Sequence, residues 1–186
     1  MRPMPLLGPP AVALHDSFLA ALEEFRAEGR LGPGDSTGLA MEARAGIPGL
    51  DDPAGFAAYV AGLHARSLPE TPRPPGFVPD TVLWFAEGRE FIGRLSIRHD
   101  LNQMLREVGG HIGYDVRPSA RRRGHGTEML RQALPVAHDL GIDPALITCD
   151  VDNVASRRVI EANGGVLEDV RHGKLRFWVP TGEAGR

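Results

Sequence analysis

The segment Val116-Arg-Pro-Ser-Ala-Arg-Arg-Arg-Gly-His-Gly-Thr-Glu-Met-Leu130 combines residue types that suit anion chemistry. A strand pattern stops at Val116, an arginine- and glycine-rich turn follows, and a helical pattern opens near Gly124. Such a turn aims free backbone N–H groups, and the positive end of a helix dipole, at one point in space. Glycine adds room, because a backbone without a Cβ lets an anion approach closely. The pattern predicts a pyrophosphate cradle. No Gly-Lys-Ser/Thr closes it, and the three-glycine spacing of a dinucleotide site is missing. Downstream, Asn153-x-x-Ser156 opens a second helix that stops at Asn163-Gly164.

The two units together carry a resemblance. Arg121-x-x-Gly124-x-Gly126 resembles the Arg/Gln-x-x-Gly-x-Gly/Ala signature of the GNAT acetyltransferase superfamily. Val116-Arg117-Pro118 resembles that family's strand end, and Asn153-x-x-Ser156 its next strand–helix unit, in the same order and spacing. The resemblance covers about Val82 to Val179. The stretches Glu90 to Asn102 and Gly110 to Pro118 further resemble a bacterial branch of the family.

The resemblance implies a mixed α/β (α+β) fold. One twisted mixed sheet is flanked by helices and splayed between its fourth and fifth strands. Residues 1–186 then form a single acyltransferase domain, with 1–80 a helical substrate-side portion and 81–180 the cofactor-binding core. The implied co-substrate is acetyl-CoA, and the implied reaction is acetylation of an amine on a small molecule or a protein. In this family the pyrophosphate rests on the turn's N–H groups. By position these belong to Arg122, Arg123, Gly124, His125, Gly126 and Thr127, with Arg121 at the motif's first place. The pantetheine arm would pair with the strand at Asp115 and Val116, and Asn153 and Ser156 would meet it near the splay. The resemblance also allows a homodimer.

Acetyl transfer needs a proton taken from the amine, an oxyanion held and a thiolate released. The family's usual proton donor is a tyrosine seven positions beyond the asparagine; that position is Ile160. Tyr114 and Cys149 are the nearby alternatives. Tyr114 shares strand parity with Ile112 and Val116, which also suits a core tyrosine. For the base, His111, His99, Asp100 and Glu90 come into view, with His99, Asp100 and Asn102 at a substrate rim. His111 is the candidate on chemistry, against a plain strand histidine bonded for structure. Ile160 leaves a second function open: an acyl-CoA-binding sensor or regulatory module without catalysis.

Composition narrows the rest. Lys+Arg 21 against Asp+Glu 24 gives a net charge of −3, so the arginine turn is read as a CoA site and not as a nucleic-acid patch. A lone cysteine, Cys149, rules out an internal disulfide and fits a reducing compartment. No apolar run reaches the roughly 20 residues of a membrane helix. Met1 to Leu14 lacks the apolar core of a signal peptide, so a cytoplasmic protein is expected. The histidines form no metal-ligand cluster, so no metal is expected.

The positioning elements follow from patterning. Leu14, Phe18, Leu22 and Phe25 predict a helix ending near Gly29, before a Gly32-Pro33-Gly34 breaker. Asp52 and Pro53 predict a capped second helix with a Phe56, Val60, Leu63 stripe. Pro69 to Pro79 reads as an extended surface connector. Strands are predicted at Val82 to Ala86, Phe91 to Ile97, His111 to Val116, Leu146 to Cys149, Val166 to Val170 and Leu175 to Val179. Asp100 to Val108 reads as a loop or one helical turn. Helices are expected over Gly124 to Leu140, bent or broken at Pro135, and over Asn153 to Ala162.

Overall fold

The computed structural model describes residues 4–182. Seven strands form one sheet: β1 (Leu6–Gly8), β2 (Asp80–Glu87), β3 (Glu90–Arg98), β4 (Ile112–Val116), β5 (Ala145–Asp150), β6 (Val166–Arg171) and β7 (Lys174–Val179). Their order is β1-β2-β3-β4-β5-β7-β6. Every pairing is antiparallel except that of β4 with β5. Five α-helices accompany it among the described residues: α1 (His15–Ala27), α2 (Gly38–Ala45), α3 (Pro53–Ala65), α4 (His125–Asp139) and α5 (Val154–Ala162).

Period-two alternation divides the core between the two faces of the sheet. Leu83, Phe85, Leu95 and Ile97 pack with Met129, Leu130 and Ala133 of α4. Val82, Trp84 and Phe91 pack on the other side with Phe18 and Phe25 of α1 and Phe56 of α3. Phe18 stacks on Trp84 at 4.8 Å between ring centroids. Each of these large side chains contributes about 1.5–3 kcal/mol by leaving water.

The caps are where the residue types placed them. Asp52 accepts from the N–H groups of Ala54 and Gly55 to start α3, and Asn153 accepts from Ser156 N–H to start α5. Two elements were not expected. β1 has only three residues, too few for alternation, and is held by Gln132 of α4, whose side chain accepts from Leu7 N–H. α2 starts on a Thr37 cap whose hydroxyl accepts from Ala40 N–H. Pro135 does not break α4, which runs on to Asp139.

One strand pairing shapes the site. β4 and β5 run parallel and meet at Ile112 and Ile147 alone. Just before that point, His111 N–H donates to Leu146 O (2.7 Å), while Leu146 N–H donates to His111 Nδ1 (2.9 Å). Gly110 has φ +64° there, and a Cβ on it would lie 2.6 Å from Leu146 O. Only glycine lets the chains come this close. Beyond Ile112 the strands diverge, and the expected splay between the fourth and fifth strands opens toward their C-terminal ends.

Helix α1 fastens the far end of β4. Glu24 accepts from Arg117 and from the N–H and hydroxyl of Ser119. Burial raises the Glu24 pKa, but the Arg117 and Ser119 bonds outweigh it and bring it from 4.5 down to about 2. A carboxyl depressed by folding stabilises above its unfolded pKa, and that contribution fades as pH falls through the folded value. Between about pH 4.5 and 2 the wild type should therefore lose stability faster than Glu24→Gln. Denaturant midpoints across that range measure the difference, and parallel curves for the two proteins would remove Glu24 as the tie.

Candidate active site

The turn after β4 leaves its donors open. None of the N–H groups from Arg122 to Thr127 has a hydrogen-bond partner in the described residues, and the first bond back into the turn is Glu128 N–H to Gly124 O. Gly124 caps α4 with φ +80°, the left-handed region that suits glycine. A Cβ there would meet open space. Gly126 differs: its Cβ would lie 3.2 Å from Val159 Cγ2, so its small size serves the contact of α4 with α5.

The arginines divide in the same way. Arg121 is held by Glu28 through two bonds of 2.7 Å and also donates to Val116 O (3.0 Å), so it ties the turn to α1. Arg122 and Arg123 are exposed and make no ion pair with described residues. His125 turns its ring inward, edge-on to Phe85 at 5.9 Å. Thr127 accepts at its backbone O from Asn163 (3.2 Å).

The splay supplies a second set of open groups. Arg98 N–H donates to His111 O and Arg117 N–H to Ile92 O, so the odd residues of β4 bond β3. In an antiparallel ladder the alternate residues point the other way. Tyr114 and Val116 therefore direct their backbone N–H groups into the gap left by β5. Asp115 bonds toward β3 instead, and what it offers the site is its carboxylate.

Around this gap lies a cleft of about 430 Å³. Tyr114, Thr148, Cys149, Asn153 and Ser156 line its wall beside β5 and α5; Arg94, Ser96 and Arg98 of β3, with Asp80 and Asp115, line the other. The Tyr114 hydroxyl lies 2.8 Å from Ser156 Oγ, in the first turn of α5. Burial pushes its pKa well above 10, with the Ser156 bond opposing. Burial likewise raises the Cys149 thiol, which leaves it a weak nucleophile. For Asp115, burial raises the carboxyl while Arg30, at 2.6 Å, opposes.

A family model described as an acetyltransferase (GNAT) domain matches residues 41–166. The chain belongs to this family. Solved structures of the GNAT fold resemble it over nearly its whole length. RimJ from Mycobacterium smegmatis, in complex with CoA-disulfide, is 17% identical with a TM-score of 0.64, covering 97% of this chain and 83% of its own. The microcin C7 self-immunity acetyltransferase MccE, in complex with acetyl-CoA and AMP, is 13% identical with a TM-score of 0.61, covering 95% and 92%. The putative acetyltransferase yncA from Salmonella typhimurium, with acetyl-CoA, is 14% identical with a TM-score of 0.57, covering 99% and 98%. No curated protein sequence matches significantly.

Within the GNAT frame, the expected site residues separate. Tyr114, Asp115, Asn153 and Ser156 meet at the cleft, with Cys149. Ile160 is fully buried in the core beside α4, so the family's tyrosine position is a packing position here. His111 does not join the cleft: its Nδ1 lone pair accepts from Leu146 N–H, and burial with Arg106 and Arg98 nearby lowers its pKa to about 4. His99 bonds the Thr81 hydroxyl (2.8 Å). Asn102 binds Gly76 O and caps the turn at Leu105. Glu90 and Asp100 are exposed. The residues that sequence reasoning missed are Asp80, Arg94, Ser96 and Arg98. A signal existed: polar residues at alternate positions of β3 mark a face that meets water or ligand. Among the described residues, no group of three His, Cys, Asp or Glu side chains could hold a metal. No described helix is long and apolar enough to cross a membrane.

Proposed function

We propose that this protein transfers the acetyl group of acetyl-CoA to an amine. The observation that carries the reading is a pair of unbonded backbone sets at one strand end. The turn from Arg122 to Thr127 has free N–H groups, and Tyr114 and Val116 direct theirs into the adjoining gap. The first set fits a pyrophosphate, with Arg122 and Arg123 free to neutralise phosphate charge. Of the second, Val116 N–H fits an amide of a pantetheine arm and Tyr114 N–H fits the thioester oxygen at its end.

When bound, acetyl-CoA supplies a thioester, whose C–S bond breaks as the amine nitrogen forms its C–N bond. Tyr114 N–H would hold the thioester oxygen as charge grows on it. The Tyr114 hydroxyl, 2.8 Å from Ser156 Oγ, would give the departing sulfur its proton in place of the family's tyrosine. Asp115 would take the proton that the amine gives up, through the oxygen that Arg30 leaves free. The arginine-lined wall would face the acceptor. Ile160 alone favours the other reading, acyl-CoA binding without turnover.

The test is release of CoA thiol from acetyl-CoA by the full chain against a panel of small amines, amino acids and peptides with free N-termini. The proposal expects saturable release that depends on one class of amine. Acetyl-CoA binding without release above the no-acceptor rate for any amine would favour the sensor reading instead.

A further inference from the structure

The second wall of the cleft is charged in a way that the transfer reaction does not require. β3 presents Arg94, Ser96 and Arg98 on one face, at alternate positions. Arg94 is buried. It donates one bond to Glu42 (2.5 Å), while its Nε and Nη1 have no partner. Arg98 donates from Nη1 alone, to Gly109 O (3.0 Å) and Gly110 O (3.1 Å), and pairs with no carboxylate among the described residues. Burial, with Arg66 and Arg94 nearby, draws its guanidinium below the ordinary value against the pull of Asp80. The cluster holds three guanidinium groups, Arg66, Arg94 and Arg98, against two carboxylates, Glu42 and Asp80. This end of the cleft therefore carries one positive charge in excess of its own carboxylates.

The neighbouring end has the opposite balance. Arg30 is shared between Asp35 (3.0 Å) and Asp115 (2.6 Å), two carboxylates on one cation. The two ends are close. The Arg98 guanidinium nitrogens lie 3.5 and 3.6 Å from where a Cβ on Gly113 would be. Gly113 and Asp115 are two residues apart on one face of β4, a spacing of about 7 Å. A group with a positive and a negative end, held by a hydrogen bond of about 2.8 Å at each, bridges that gap if its own charges are a few bonds apart.

We propose that the acceptor is a free amino acid, with its carboxylate on Arg98 and its ammonium on Asp115. The inference rests on the acetyltransferase reading and names its substrate class. The cleft, about 430 Å³, has room for a free amino acid beside the thioester end.

Calorimetric titration of the CoA-loaded full chain with the standard amino acids, each paired with its own carboxamide, tests this. At least one amino acid should bind about tenfold or more tightly than its carboxamide, the usual advantage of a charged hydrogen bond over a missing one. Arg98→Met should erase that preference, and Arg98→Lys should restore part of it. Equal binding of acid and amide by the wild type would overturn the proposal, as would a preference that survives in Arg98→Met. Binding confined to peptides with a free N-terminus and an amidated C-terminus would overturn it in favour of a protein acceptor. CoA release is then measured with the bound amino acid. If the binding preference holds but no CoA is released, the carboxylate site stands and the acetyltransferase reading fails.

Discussion

Gly124→Glu should bind acetyl-CoA at least about a hundredfold more weakly than the wild type, a loss near 2.8 kcal/mol, while remaining folded. The position has φ +80°, and a Cβ there meets nothing within 4 Å. The backbone strain of a non-glycine residue in this region is about 1–2 kcal/mol, affordable within a typical stability of roughly 5–15 kcal/mol. The glutamate carboxylate would instead occupy the free N–H groups between Arg122 and Thr127 and repel the diphosphate. Gly126 is the internal contrast. A methyl there presses on Val159, so Gly126→Ala should lower thermal stability before it lowers affinity. Calorimetry beside a thermal melt separates the two effects, and wild-type affinity in Gly124→Glu would mean that the phosphates lie elsewhere.

Tyr114→Phe should lower kcat by about a hundredfold or more, the range expected for loss of a positioned proton donor. Affinity for acetyl-CoA should hardly change, because the backbone N–H of residue 114 is kept. Stability should fall by about 1 kcal/mol, the worth of one hydrogen bond to Ser156. The pH dependence provides a second check. Burial raises the phenol pKa above its ordinary 10, so the donor stays protonated throughout the working range. The wild-type kcat profile should therefore show no fall on the alkaline side from this group below about pH 10. A variant within a few-fold of wild-type kcat would make Tyr114 a core residue whose hydroxyl is merely satisfied.

What the sequence disclosed, and what it hid, follows from the range of the interactions involved. Gly124, Asn153 and Asp52 act through backbone groups a few residues away, and their chemistry is visible locally. β2 and β3 are buried on both faces along much of their length, so they read as apolar runs whose limits could be placed closely. Arg121 shows where local reading stops. Its place in the motif suggests phosphate, but Glu28, nearly a hundred residues earlier, occupies it through two hydrogen bonds. His111 is similar: its ring is taken by the backbone of β5, a neighbour that only the fold supplies. The alternate polar residues of β3 mark a wet face, but their partners Glu42 and Asp80 lie on other elements, so the charge cluster itself was not legible. Arg94 is in fact 4% exposed.

The central claim is that the gap beside Tyr114 and the turn from Arg122 to Thr127 together form an acetyl-CoA site. Isothermal calorimetry of acetyl-CoA with the full wild-type chain tests it most directly. The expected result is saturable one-to-one binding, competed by CoA and accompanied by a rise in Tm that grows with ligand concentration. No heat of binding and no shift in Tm at millimolar acetyl-CoA would contradict it.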